Sequence, residues 1–342
     1  MLFIPSLGFS ILNQTILWSS TDQSKYGCYR IPSLLHLEKG IVVAAIEARQ
    51  GNCGDSSQSD TLIRISQDNG INWSNNIIIP CFSHVKGYQS TGETGLIFDK
   101  QTHTLFAISE FFHSDTVTND GNPVIDIRVA ASYDYGYTWK LKRIVDDPGQ
   151  HSPSGTLASG VQLPSGRLAI CFRRGVAFSK TFYSDNHGNT WQFSQNSTGI
   201  NSSECQIASL PDGRLYMTAR EYKSLNTNPR LQSWSFDNGT SWQPYTHIPA
   251  GIIPDPNCEG SVVADTNGIL YLSLPHSTSK RIDITIYISK DKCMTWNSSY
   301  LIYKGPSGYS SISVLLNNTI GLLHEGGPHF AEEHIYFHRI II

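Results

Sequence analysis

Apolar residues in this chain come in short runs of strand length, each followed by a polar turn. Residues 41–46, Ile-Val-Val-Ala-Ala-Ile, read as a buried strand. Similar runs occupy 61–65, 127–131 and 282–288. The tail from Glu333 to Ile342 reads as a closing strand. No run approaches the roughly 18 apolar residues that cross a membrane as a helix, so no transmembrane segment is expected. The apolar start, Met1 to Leu12, lacks a positive leading region and a clear cleavage site. It is either a degenerate signal peptide or a loose end before an N-terminal strand.

The turns repeat. The pattern Ser-x-Asp-x-Gly-x-Thr-Trp recurs at 66–73, 132–139, 184–191, 235–242 and 289–296, with starts 66, 52, 51 and 54 residues apart. In such an Asp box the carboxylate accepts backbone N–H bonds, the glycine takes a positive φ, and the tryptophan re-enters the next strand. The third box has Asn186 in place of Asp, which keeps the bonding ability; the fifth has Cys293 in place of Gly, which predicts a different turn there. A period near 50 with one hairpin per unit implies about four strands per unit in a radial array, an all-β propeller. Five boxes mark five units. The closing strand and an N-terminal strand would complete a six-bladed β-propeller. The longest spacing places extra residues near 110–124, either as a surface loop or as a wall of a site. No linker or charge run interrupts the chain, so one domain over 1–342 is expected.

Composition fits this reading. The 342 residues are 39% hydrophobic and 15% charged, with 28 Gly and 16 Pro, which suits many short strands and turns. A net charge of −3 excludes the basic footprint of a nucleic-acid binder. Seven cysteines form no Cys-x-x-Cys pair, so no metal site is expected; their odd number leaves a free thiol, and most read as small buried residues. Sequons at Asn13, Asn196, Asn201 and Asn297 lean weakly towards secretion.

Arg30 heads the apolar run around Pro32, where the chain is extended. A guanidinium beside a buried strand needs an anionic partner, from the protein or from a ligand. The motif Tyr29-Arg30-Ile31-Pro32 together with the five boxes resembles the sialidase family, closest to its cellular and bacterial members. Residues 164–168, 203–206 and 258–262 extend the resemblance over nearly the whole chain.

The resemblance implies a six-bladed propeller acting as a retaining exo-alpha-sialidase. It would hydrolyse terminal sialic acids from glycoproteins, glycolipids and oligosaccharides. Sialic acid carries a carboxylate on its anomeric carbon, and planar guanidinium forks match it. By resemblance these are Arg30, Arg220 and Arg281, with Glu325 bracing the first and Arg49 near the sugar's 4-position. Asp55 would be the acid/base residue, with Asp60 as its competitor. A carboxylate nucleophile would be repelled by the substrate, so the family uses tyrosine. Tyr309 fits that place, activated by Glu204. Tyr183 and the 110–124 segment are candidates for the acetamido and glycerol pockets. No metal or cofactor is implied, and the expected partner is a sialylated glycoconjugate bound by a monomer. A trans-sialidase and a non-catalytic glycan-binding propeller are the alternatives. A secreted or lumenal location is expected, with the cytoplasm as the alternative.

Overall fold

A computed structural model of the chain describes residues 9–22, 24–55, 57–82, 88–117, 123–146, 159–174, 178–195, 200–222, 230–249 and 252–342. Apart from a single 3-10 turn at Pro80–Phe82, the regular structure among the described residues is β-strand.

The strands alternate along the chain in antiparallel meanders. The N-terminal strand is β1 (Ser10–Ser19). Next come β2 (Cys28–His36), β3 (Val42–Arg49), β4 (Ser59–Ser66) and β5 (Ile77–Ile78), forming one sheet. The second sheet is β6 (Tyr88–Asp99), β7 (Thr104–Val117), β8 (Pro123–Ser132) and β9 (Lys140–Asp146). The third is β10 (Val161–Gln162), β11 (Leu168–Arg174), β12 (Phe178–Ser184) and β13 (Gln192–Phe193). The fourth is β14 (Ser202–Ser209), β15 (Leu215–Glu221), β16 (Leu231–Ser235) and β17 (Thr246–His247). The rest, β18 (Ser261–Ala264), β19 (Leu270–Pro275), β20 (Ile282–Ser289), β21 (Ser298–Val314), β22 (Thr319–Gly326) and β23 (His334–Ile341), join β1 in one sheet.

Among the described residues the sheets therefore number four of four strands and one of seven, not six separate blades. The reason is β21. Its first half pairs with β20 and its second half with β22, so one long strand serves two neighbours. β1 pairs antiparallel with β23, which ties the two ends of the described chain together.

Six strand segments, from β2, β6, β10, β14, β18 and the end of β21, line an axial cavity of about 630 Å³. Buried apolar clusters fill the spaces between neighbouring sheets. Phe82, Phe98 and Leu105 join the first sheet to the second, and Phe106, Ile170 and Phe182 join the second to the third. Each such side chain contributes roughly 1.5–3 kcal/mol when withdrawn from water.

The boxes pin the outer hairpins to this core. Ser66 Oγ accepts from Gly70 N at 2.8 Å, and Asp68 Oδ1 accepts from Asn72 N at 2.8 Å. Both Asn69 (φ 62°) and Gly70 (φ 84°) are left-handed, the geometry of a tight primed turn. Asn186 takes over the aspartate's role in the third box, accepting from Thr190 N at 2.8 Å. The fifth turn does not differ, contrary to expectation. Cys293 adopts φ 63° and its N–H donates to Ser289 Oγ at 2.8 Å, as the glycines do elsewhere. The surrounding box bonds hold a conformation that a side chain would otherwise avoid.

The cysteines include the expected free thiol, most are buried as expected, and the pairing that the sequence left open is now visible. Four of the seven are paired, Cys28 with Cys53 and Cys171 with Cys205, leaving Cys81, Cys258 and Cys293 free. The extra residues of the second unit lengthen the β7–β8 hairpin, whose tip at 118–122 lies outside the described residues.

Candidate active site

Strand direction decides where chemistry can gather. The innermost strands run from the site end to the Asp-box end, and their partners run back. Residues near the start of an innermost strand therefore meet residues near the end of a second strand. Arg30 of β2 pairs with Glu47 of β3, two residues before Arg49. Glu204 lies near the start of β14, Arg220 near the end of β15, Arg173 near the end of β11 and Glu325 near the end of β22.

Four inner strands break register at this end in the same way. One extra residue is inserted between Arg30 and Ser33, Thr91 and Thr94, Ser202 and Cys205, and Ser307 and Ser310. Such a bulge re-aims a side chain off the alternating pleat. The residues at or within these four breaks include Arg30, Glu93, Glu204 and Tyr309.

Glu325 is the hub of one half of the site. Its fully buried carboxylate accepts from Arg30 Nε at 2.9 Å, Arg30 Nη2 at 3.3 Å, Ile31 N at 3.1 Å and Tyr309 N at 3.0 Å. Burial alone would lower the Arg30 pKa, but the Glu325 charge and hydrogen bonds raise it above its ordinary value. Ile31 sits at φ 60°, an unusual conformation for a β-branched residue, and the bond to Glu325 holds it. Gly308 is needed for the close approach, since a Cβ there would lie 2.3 Å from Glu325 Oε2.

Glu204 organises the other half. Arg220 Nη1 donates to its Oε2 at 2.9 Å, and the Tyr309 hydroxyl donates to its Oε1. Burial would raise the Glu204 pKa, yet Arg220 and the Tyr309 hydroxyl hold it below the ordinary value, so the carboxylate stays ionised. Burial and the Glu204 charge push Tyr309 well above its ordinary value. A protonated tyrosine thus faces a ready base. The Arg30 and Arg281 guanidinium carbons lie 5.0 and 5.2 Å from the centre of the Tyr309 ring. Arg281 also donates to Asn257 O at 3.2 Å, and Arg220 Nε to the Asn257 side chain.

Asp55 stands at the rim. Its side chain is 89% exposed, 2.9 Å from Arg49 Nη1 and 3.8 Å from Arg30 Nη1. Burial would raise its pKa, but the Arg49 hydrogen bond and charge hold it below the ordinary value. Arg49 is itself held by Glu47 at 2.9 Å. The arrangement offers several convergent cations for an anionic ligand, a phenol hydrogen-bonded to a carboxylate among them, and a water-exposed carboxylate at the rim.

The BNR repeat-like domain family matches residues 42–324. This chain belongs to the sialidase family. It is 28% identical over 327 residues to a sialidase of Micromonospora viridifaciens, covering 87% of this chain and 50% of that protein. It is 27% identical over 346 residues to mouse sialidase-2, covering 88% and 87%. The chain thus spans half the length of the Micromonospora relative. Among solved structures, a Hadza microbial sialidase superposes with a TM-score of 0.80 at 23% identity, over 92% of this chain and 66% of that one. The intramolecular trans-sialidase of Ruminococcus gnavus superposes at 0.77 with 20% identity, over 97% and 98%. These likenesses establish the sialidase propeller fold.

Of the residues expected at a sialidase site, Arg30, Arg49, Asp55, Glu204, Arg220, Arg281, Tyr309 and Glu325 are brought together. Tyr183 is not. It immediately precedes the third Asp box, and its buried ring lies 4.0 Å beneath the Arg167 guanidinium at the opposite end of the strand. Asp60 is engaged elsewhere, accepting from the Tyr26 hydroxyl at 2.6 Å and from Lys25 Nζ at 3.0 Å. The 110–124 segment is only partly described, and its side chains beyond Phe111 lie outside the described residues.

Sequence reasoning missed Glu47, Glu93 and Arg173. Burial pushes the Glu93 carboxyl up to about 8, against the opposing pull of Arg173, and its Oε2 has no hydrogen-bond partner among the described residues. Arg173 follows the apolar run 168–172, the signal that singled out Arg30. Among the described residues no cluster of side chains has the make-up of a metal centre, and no helix is long and apolar enough to cross a membrane.

Proposed function

We propose that this chain is a retaining exo-alpha-sialidase. The observation that carries the reading is the Tyr309 hydroxyl bonded to the ionised Glu204 beneath the Arg30 and Arg281 guanidinium groups. Arg30, Arg220 and Arg281 would hold the substrate carboxylate and so fix the anomeric carbon over Tyr309. Glu204 takes the phenolic proton as the tyrosine oxygen attacks. Asp55 protonates the departing glycosidic oxygen, then removes a proton from the water that releases the sugar. The exposure of Asp55 supports that second role. The two cystines support a secreted or lumenal setting, where disulfides persist.

The test is release of sialic acid from a fluorogenic α-sialoside by the wild type and by Tyr309→Phe, with NMR of the first-formed product. Activity in the wild type, a severe loss in the variant and initial α-sialic acid are expected. An anhydro or transferred product in place of free sialic acid would replace hydrolysis by trans-sialidase chemistry. A folded but inactive wild type would leave a glycan-binding propeller.

A further inference from the structure

Among the described residues, the loop that carries Asp55 has few ties to the rest of the chain. Residues 50–58 read Gln-Gly-Asn-Cys-Gly-Asp-Ser-Ser-Gln, and Cys53 is the one residue among them without a hydrophilic or absent side chain. The loop is closed at its base by Gln50 N donating to Gln58 O at 2.7 Å. Above that base its bonds are local: Gly54 N and Ser57 Oγ donate to Asn52 Oδ1 at 2.8 and 2.7 Å. The described ties from the upper loop to the scaffold are the Arg49 guanidinium, which donates to Cys53 O and Asp55, the weaker Arg30 contact, and the Cys28–Cys53 bridge.

The bridge has a particular placement. Cys28 is two residues before Arg30 and Cys53 is two residues before Asp55, so the cystine separation of 25 residues equals the spacing of the two functional residues. Cys28 is fully buried in β2 and its Cα lies 5.2 Å from that of Cys53. Gly27 N donates to Arg49 O at 3.0 Å, and a Cβ on Gly27 would lie 2.3 Å from Gly51 O, so the loop is drawn close against this strand.

We infer that the Cys28–Cys53 disulfide is a positioning device for Asp55, and that opening it selectively weakens proton donation to the leaving group. The inference rests on the proposed function, since it concerns the role of Asp55 there. A general acid must sit within hydrogen-bond reach of the departing oxygen, and an ångström of misplacement is costly. Tyr309, Glu204, Arg220 and Arg281 lie outside β2 and the Asp55 loop.

The test compares wild type, the double variant Cys28→Ser/Cys53→Ser, the double variant Cys171→Ser/Cys205→Ser and Asp55→Ala. Two substrates are used: sialyllactose, whose leaving alcohol needs a proton, and an aryl sialoside with an acidic phenol, which does not. For the Cys28/Cys53 variant kcat/KM on sialyllactose should fall about ten- to a hundredfold, against less than about threefold on the aryl sialoside. Adding Asp55→Ala to that variant should then cost less than in the wild type. The Cys171/Cys205 variant should not show the same divergence between substrates. Equal losses on both substrates, or no loss on either, would overturn the inference.

If the double variant does not fold, wild type is treated with dithiothreitol under native conditions. The dithiol becomes its cyclic disulfide as the protein cystine becomes two thiols, and mass spectrometry identifies which bridge opened. An unchanged substrate ratio with Cys28–Cys53 open would likewise overturn the inference. A folded wild type inactive on both substrates would instead remove the proposed function.

Discussion

Glu325→Ala tests the electrostatic logic of the site through stability. The removed carboxylate is fully buried and accepts four hydrogen bonds, two from Arg30 and one each from the backbone of Ile31 and Tyr309. The Arg30 side chain is only 10% exposed, so it would be left as a buried charge. Asp55 is the nearest substitute, but it lies 3.8 Å away and is 89% exposed, where screening makes an ion pair weak. Breaking a buried pair by removing one partner costs roughly 3–5 kcal/mol. The two orphaned N–H groups would each add about 1–3 kcal/mol if they stayed dry, though such terms do not sum. With a urea slope of about 3 kcal/mol per M, the midpoint should fall by about 1 M or more. Tryptophan fluorescence during urea unfolding reads this directly. The companion Arg30→Met/Glu325→Leu removes both charges and should be less destabilised than Glu325→Ala alone. A midpoint shift below about 0.3 M for Glu325→Ala, or a double variant worse than the single, would refute the assignment of Glu325 as the counter-charge that permits Arg30 to be buried.

Two pH predictions follow from opposite shifts. Burial would raise the Asp134 pKa, but its bonds from Thr138 (N at 2.8 Å, Oγ1 at 2.6 Å) hold it below the ordinary value. Its stabilisation is therefore present above the unfolded pKa of about 3.9 and lost as pH falls through the folded value. Asp134→Asn should flatten the acid limb of the Tm profile, because Asn186 shows that an amide serves the same turn; an unchanged acid slope would argue otherwise. Glu259 behaves oppositely: burial pushes its carboxyl up to about 8, partly offset by the bond from Ser310 N, and its Oε1 has no hydrogen-bond partner among the described residues. Its contribution is present below the unfolded pKa of about 4.3 and lost as pH rises through the folded value. Glu259→Gln should narrow the Tm difference between pH 5 and pH 8.5, and a difference as wide as that of the wild type would count against a buried neutral acid.

The parts legible in the sequence were those whose chemistry is local. A box of eight residues contains its own hydrogen-bond partners, so all five hairpins could be read, and with them the propeller. Even so, Cys293 departs from expectation, because the box bonds hold the positive φ that a side chain alone would avoid. The cystines could not be read, since pairing depends on which strands the fold places side by side. The seven-stranded sheet arises from continuous pairing along β21, a length that no turn signal marks. The place of Tyr183 follows from its neighbour in the sequence. Ser184 opens an Asp box, and a seven-residue strand rises about 3.3 Å per residue, so a residue next to the box is roughly 20 Å from the site end.

The register breaks explain why the rest of the site resisted pattern reading. In an unbroken strand the pleat alternates, and a residue's facing follows from parity. At this end four innermost strands each carry one extra residue, so parity fails where the chemistry lies. The insertions also leave backbone N–H groups outside the ladder, and two near the breaks, Ile31 N and Tyr309 N, are taken up by Glu325. Ser310 N, beside them, is taken up by Glu259. Glu325 thus serves two ends at once, closing the frayed sheet edge and countering Arg30, whereas Glu259 serves the backbone alone. Removing Glu325 should disturb both the backbone that aims Tyr309 and the charge balance around it, which is why this bulged site needs an acidic residue behind Arg30.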